Sequence, residues 1–538
     1  MTPPSLRFDY VIVGAGSAGC VLANRLSADH SVRVALVEAG PGGRNPFVRM
    51  PRAWVTLGGE RLWRYAVEDS PGRNGETWAR GRGLGGSSAV NGMIYCRGQP
   101  EDYDSWAGFG VTGWGWAEME TAFRAIEDCG PGADPERGQD GPVQITSRTL
   151  DPRLEQAVFG AAESLGLERL RSLNGAGREG VGYYEHTVDR RGVRMSADRA
   201  FLEPARGRPN LTVLTRTQVE RILFEDGRAT GIAMRHAKQS VRITAAREVI
   251  VCAGAIESPQ LLQVSGVGDG DALRRLGLPV IHDNAAVGRN LGEHVVLALP
   301  HRLKMLTGHN REFKPARLAL NLAQYYVGRR GVLTYGASEV GGFIRSRPEV
   351  ARPDLQLALS PYSFRSPAAS GRPRPEARPG FTIIGYMLRP ESRGWITLRS
   401  PNAGAPPLIT PNWLSTPADE LTAVAMMGHL RRFVSQTALA PFVGDEIWPG
   451  PDVSGFGPML AALRGRFVSG LHAVGTCRMG ADRVAVVDER LRVIGVQGLR
   501  VVDASVMPIP PSGNTNGPVM ALAWRAADLI NADRRGAS

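Results

Sequence analysis

Residues 9–40 read DYVIVGAGSAGCVLANRLSADHSVRVALVEAG, an order of residue types that leaves the chain few folds. Tyr10 to Val13 is a short apolar run with β-branched residues, suited to a buried parallel strand. Gly14, Gly16 and Gly19 follow at G-x-G-x-x-G spacing, and Cys20 to Leu26 continues at helical period. The glycines have separate jobs: a tight turn, close approach of backbone to a pyrophosphate, and close packing of helix on strand. Ser17, Ala18 and Gly19 open the helix, so its free N–H groups and positive dipole end face that anion. Val32 to Val37 forms a second apolar strand, closed by Glu38 at the distance where an acid bonds ribose hydroxyls. An acid there, rather than an arginine, argues against a 2′-phosphate. The series predicts a dinucleotide-binding βαβ unit, without separating FAD from NAD.

Further segments separate them. Residues 80–98 read RGRGLGGSSAVNGMIYCRG, with Gly81, Gly83, Gly85 and Gly86 before Ser87 and Ser88, a stretch able to lay backbone along a flat ligand. Residues 254–268, GAIESPQLLQVSGVG, follow the strand-like EVIVCAG, and VGRNLGEH occupies 287–294. Near the other end the chain reads LHAVGTCRMG and then VVDASVMPIPPSGNTNGPVMALAWRAADLI. On these segments the chain resembles the glucose–methanol–choline (GMC) oxidoreductases, a family of FAD enzymes. RGRGLGGSSAVN and GAIESPQLLQVSGVG match the family's two signatures, VGRNLGEH a third segment, and DASVMP with NTNGP the C-terminal one. The resemblance spans nearly the whole chain. It implies an α/β chain, α+β overall, with a Rossmann-like FAD-binding domain drawn from residues 1–150, 195–295 and 470–538. A second, antiparallel-sheet substrate-binding domain is expected from 151–194 and 296–469, including strands at FTIIGYML and GWITLRS and a helix near 315–328.

Of nine histidines only His472 lies in the last 100 residues. The resemblance makes it the base and puts the partner position on Asn514, where some relatives carry histidine and others asparagine. The expected reaction oxidises a primary alcohol (aromatic, furanic or aliphatic) to an aldehyde. Neutral imidazole suits the hydroxyl proton near pH 7 while the carbon gives a hydride to flavin N5. Asn514 would donate to the same oxygen, and dioxygen or a quinone-type acceptor would take the electrons. Implied cofactor contacts are Gly86 and Ser87, the flavin-lining Asn91, Gly92, Met93 and Ile94, the backbone of Val219 at the adenine, Asp503 at the ribityl or phosphate region, and Asn516. Some relatives link FAD through a histidine at the position of Val90; valine cannot form that bond, so non-covalent FAD is expected.

His294, in NLGEH, reads as a buried structural residue. Trp63, Tyr335, Tyr362, Phe364, Trp395 and Trp448 are candidates for pocket walls or plain core. Choline is not encouraged, because no acid can be assigned to face its ammonium. A hydroxynitrile-lyase-like cleavage and a light-driven decarboxylation on the same fold are the alternatives; an intact His/Asn pair speaks against the second.

Composition narrows the partners. Hydrophobic residues make up 43% and charged residues 22%, ordinary for a soluble globular protein. No apolar stretch is long enough to cross a bilayer, and MTPPSLRFDY lacks a signal peptide's apolar region, so a cytoplasmic protein without a transmembrane segment is expected. Cys20, Cys96, Cys129, Cys252 and Cys477 are scattered without a C-x-x-C, which fits reduced thiols and no metal site. The net charge of +12 raises nucleic acid as a partner. Only Lys238, Lys304 and Lys314 are lysines among 64 basic residues, and the arginines are spread without blocks or aromatic platforms, so no nucleic-acid partner is expected. The run GRPRPEARPG, 371–380, reads as an exposed loop. Nothing in the sequence sets the oligomeric state.

Overall fold

A computed structural model describes residues 6–536, apart from 43–44, 56, 69–74, 132, 150–151, 176–178, 237–238, 305–307 and 366–373. Strand β1 (Leu6–Val13) runs through the glycine turn into helix α1 (Ser17–Leu26), and strand β2 (Val34–Val37) follows. Three later strands join the same sheet in parallel: β3 (Leu211–Leu214), β4 (Gln239–Val251) and β5 (Leu499–Val501). Their spatial order is β3-β2-β1-β4-β5. That order reverses at β1, so a crevice opens beyond the carboxyl ends of β1 and β4, where doubly wound sheets bind nucleotides. The aligned set Val13, Val251 and Val501 shows how the last strand reaches the first. All three side chains are buried, as central parallel strands require.

A hairpin of Thr217–Glu225 and Arg228–His236 adds antiparallel to the first half of β4. Its turn uses Asp226 and Gly227, both with positive φ (47° and 74°), as a two-residue hairpin needs. Helices α2 (Gly254–Val264) and α3 (Asn516–Gly536) follow β4 and β5. Helix α3 packs against α1, bringing the C-terminal segment over the first glycine turn.

A second sheet of eight strands is antiparallel except at one edge, where Glu168–Leu170 pairs in parallel with Gly180–Tyr183. Its central strands are Val295–Leu303, Gly380–Met387, Leu355–Ser360 and Val340–Ile344. Strand period two splits them. Leu355, Leu357, Leu359 and Ile383 face a core with helices Pro152–Ser164 and Pro417–Val434, while Phe343, Ala358, Ile384 and Tyr386 form a separate apolar wall with Ile94 and Cys96.

The expected helix is present as Pro315–Gly328. One expectation needs correction. Trp395–Thr397, inside GWITLRS, pairs with Leu408–Thr410 in a two-stranded ribbon and not with the large sheet. Of GRPRPEARPG, residues 371–373 lie outside the described residues; beyond them Arg374–Pro375 pairs with Phe364–Arg365, and Glu376 binds Arg302 and Ser363. Between that short ladder and strand Gly380–Met387, Ala377 and Arg378 are exposed and lie in a loop, as expected.

Candidate active site

The glycine turn has one crowded side and one open side. A Cβ on Gly14 (φ +100°) would lie 2.5 Å from the Cys252 carbonyl oxygen, and one on Gly19 would lie 1.9 Å from that of Gly14. At Gly16 a Cβ would meet nothing within 4 Å. Gly16 caps α1 without a side chain, and no acid occupies the first turn around Ser17, Ala18 and Gly19. No side chain therefore caps this helix start and no carboxylate repels an anion there, the arrangement that receives a pyrophosphate. Gly86 (φ +51°) brings the second glycine segment onto the first, its Cβ position 2.7 Å from Gly16 Cα.

Glu38 ties the two segments together. It is buried and accepts N–H groups from Ala15 (2.9 Å), Gly40 (2.8 Å) and Gly83 (2.9 Å). Burial raises its carboxyl above the ordinary range, and the three donors pull the other way. Ser17 Oγ donates to Asn516 Oδ1 at 2.7 Å, joining the starts of α1 and α3. Asp503, at the end of β5, accepts from Gly254 N–H (2.8 Å), Ser258 Oγ (2.6 Å) and Ser505 N–H (2.8 Å), so it caps two helix starts. Val219 is buried in the hairpin, paired with Met234. Ser87 Oγ accepts the Gly81 N–H at 3.2 Å. Asn91 Oδ1 accepts from Met93 N–H and from the buried Arg194. A Cβ on Gly92 would lie 2.7 Å from that of Ala337, so this stretch is pressed against the second sheet's loops. Ile94 lies in the apolar wall.

His472 and Asn514 meet where the wall faces the first sheet. Asn514 Nδ2 lies 3.0 Å from His472 Nε2. Asn514 Oδ1 accepts from Gln356 Nε2 (3.1 Å) and Cys96 Sγ (3.5 Å). Gln356 also donates to the Tyr184 hydroxyl (2.9 Å), which donates to the Leu357 carbonyl (2.5 Å). Every donor in this series has one direction, so the network assigns Asn514 Nδ2 as a donor and His472 Nε2 as an acceptor. The neutral ring then carries its proton on Nδ1, which lies 3.0 Å from His294 Nδ1. Burial pushes His294 down to about 4 and His472 well below the usual imidazole range, helped by the neighbouring His294 and Arg80. Burial therefore favours the neutral form of both rings.

The remaining walls were not legible in the sequence. Glu293 Oε1 accepts the His472 backbone N–H (2.8 Å), and its other oxygen accepts from Ser469 Oγ (2.8 Å). Burial raises Glu293 to about 7, against the pull of Arg80. Tyr386 stacks on His472, with centroids 6.1 Å apart and planes at 19°. The register explains the company: Val296, Tyr386, Gln356 and Phe343 form one cross-strand row, and Ala298, Ile384, Ala358 and Gly341 the next. Neither row carries a charge. Of the aromatics named from the sequence, Tyr362 bonds the Ala337 carbonyl, Tyr335 the Thr149 carbonyl, and Trp63 lies under Arg82. His294 is buried as expected, yet it belongs to the site; its NLGEH segment was the available signal.

The family profiles for GMC oxidoreductases match residues 8–296 (N-terminal part) and 390–523 (C-terminal part). The chain is 39% identical to an alcohol dehydrogenase [acceptor] of Pseudomonas putida, covering 97% of this chain and 95% of that protein. It is also 39% identical to the mitochondrial choline dehydrogenase of Homo sapiens, over 97% and 90%. Among solved structures it is similar to pyridoxine 4-oxidase from Mesorbium loti, with a TM-score of 0.87, 31% identity and coverage of 98% and 99%. With two profiles and full-length relatives in agreement, the chain belongs to the GMC oxidoreductase family.

Proposed function

We propose that this protein holds FAD non-covalently and oxidises an uncharged primary alcohol to the aldehyde, passing the electrons to dioxygen or a quinone-type acceptor. The cradle fits that cofactor: an uncapped helix start with open space beside Gly16, an acid at Glu38, and a second glycine segment packed over the turn. When bound, the flavin supplies a hydride acceptor for the alcohol carbon.

The protein's own part is the proton. The lone pair of His472 Nε2 is presented towards Asn514 by a one-way chain of hydrogen bonds, and this observation carries the reading. An entering hydroxyl takes the place of the Asn514 N–H on Nε2 and delivers its proton there. Asn514, freed from that bond, donates to the oxygen as negative charge develops on it. His294 accepts the Nδ1–H throughout, and Glu293 fixes the His472 backbone. A positioned base is worth about 10²–10⁴-fold, or about 3–5 kcal/mol of barrier.

Substrate class follows from the wall. A quaternary ammonium leaving water needs a carboxylate or an aromatic cage. The two sheet rows offer one tyrosine, one phenylalanine and no acid. The names of three relatives, an alcohol dehydrogenase, a choline dehydrogenase and pyridoxine 4-oxidase, support oxidation of a CH–OH group. The test is anaerobic mixing of the FAD-loaded protein with benzyl alcohol, 1-octanol and choline. Bleaching of the flavin by the first two and not by choline is expected; bleaching by choline alone would overturn the substrate class. Admitting air and assaying peroxide then identifies the acceptor.

A further inference from the structure

Helix Pro315–Gly328 has two apolar faces, and the protein covers one. Inward, Asn321 and Tyr325 are buried, and Leu318 and Leu322 pack against a cluster that includes Met50, Ala53, Val332 and Leu333. Outward, Ala316, Leu320, Ala323 and Val327 recur at spacings of four, three and four, one stripe of the helix, and all are exposed. Val327 is 90% exposed, and Leu320 and Tyr326 are 49% exposed each. A surface helix normally turns polar residues outward, whereas this stripe is apolar and exposed.

The ends of this face are basic. Lys314 and Arg317 stand at the start, Arg329 and Arg330 at the finish, and residues 313–331 contain no aspartate or glutamate. The nearest acid along the chain, Glu312, is engaged by Arg311 and Asn321. Arg329 stacks over Tyr325 and Tyr326, 4.5 and 5.9 Å from their centroids, holding its charge beside the exposed ring.

We propose that this helix docks the protein on an anionic lipid bilayer, its outer stripe entering the headgroup boundary and its arginines meeting lipid phosphates. The combination of an apolar stripe, an interfacial tyrosine and a basic rim without acids is complementary to that surface. A second copy is a poorer occupant: two-fold pairing through this face sets cations against cations with no carboxylate between them. Among the described residues no helix is long and apolar enough to cross a membrane, so the contact is peripheral. The chain leaving the helix reaches Ala337, whose N–H bonds the Gly92 carbonyl at 3.1 Å. Docking would therefore hold the segment next to the proposed flavin site close to the bilayer, although it does not depend on the redox reading.

The test is co-sedimentation of the FAD-loaded, full-length protein with extruded vesicles of phosphatidylcholine, with and without phosphatidylglycerol. Binding is expected only with phosphatidylglycerol and weakens with added salt. Leu320→Glu/Val327→Glu lowers the bound fraction about tenfold by placing charge in the apolar stripe. Arg317→Glu/Arg330→Glu, which leaves that stripe intact, removes the preference for the anionic lipid. Both variants keep the wild-type melting temperature and turnover with a water-soluble dye. Absence of binding by the wild type, or binding that both variants retain, would overturn the proposal. So would a concentration-dependent dimer abolished by Leu320→Glu/Val327→Glu, which would give the face to a second copy.

Discussion

The Nδ1 atoms of His294 and His472 lie 3.0 Å apart, with the two rings nearly perpendicular at 84°. Two nitrogens at that distance share one proton. Asn514 donates to the far nitrogen of His472, so the shared proton belongs to His472 and His294 accepts it. A residue outside the reaction thus decides which nitrogen of the proposed base is free, as second partners of functional histidines commonly do.

The rate of flavin reduction should follow from this neutrality. A base works when unprotonated, and burial lowers His472 well below the ordinary imidazole range. The acid limb that His472 imposes on kcat/KM then lies below about pH 6.5, the unperturbed imidazole value. A limb centred above pH 7 would contradict the assignment.

His294 variants separate positioning from packing. His294→Leu removes the acceptor, and the rate of reduction should fall about 10–100-fold, the range for losing the partner that orients a functional histidine. Its acid limb should move up in pH, because His294 is one of the influences lowering His472. His294→Asn, whose carbonyl can accept the same N–H, should recover most of the rate. Equal rates and unchanged pH profiles in both variants would make His294 plain core.

Legibility in the sequence followed locality. The βαβ turn was readable because its glycines, strand and acid are neighbours in sequence and each answers a local steric need. Helix Pro315–Gly328 was expected near 315–328 and is present there, its pattern being local to one segment. Gln356 and Tyr386 were not, since their roles come from a cross-strand register between segments with ordinary strand patterns. Trp395–Thr397 was misassigned because a strand's own residues do not name its partner. His294 and Glu293 were in view in NLGEH, but only the fold brings them to residue 472, 178 and 179 positions along the chain.

Stability should hinge on Glu127. It is fully buried, accepts from Arg97 (2.5 and 2.7 Å), Arg137 (3.0 Å) and the Tyr95 hydroxyl (2.8 Å), and bridges segments distant in sequence. Burial alone would raise its carboxyl; the two guanidiniums overcome that and hold it low. Glu127→Ala leaves two arginines buried beside an empty site and should cost about 3–5 kcal/mol in urea unfolding. A loss below about 1 kcal/mol, the worth of an exposed pair, would contradict this.

Acid precipitation tests the cofactor linkage. Val90 ends the turn Gly86–Ala89 and carries no nucleophilic atom. The yellow colour should pass into the supernatant after acid or heat treatment. Colour retained in the pellet would show a covalent bond made elsewhere.

The central claim is that His472 takes the alcohol's proton, and anaerobic stopped-flow reduction of His472→Ala by benzyl alcohol tests it most directly. The variant should bind FAD with an unchanged visible spectrum and lose at least about a hundredfold in reduction rate. Reduction within a few-fold of the wild type, with FAD fully bound, would contradict the account.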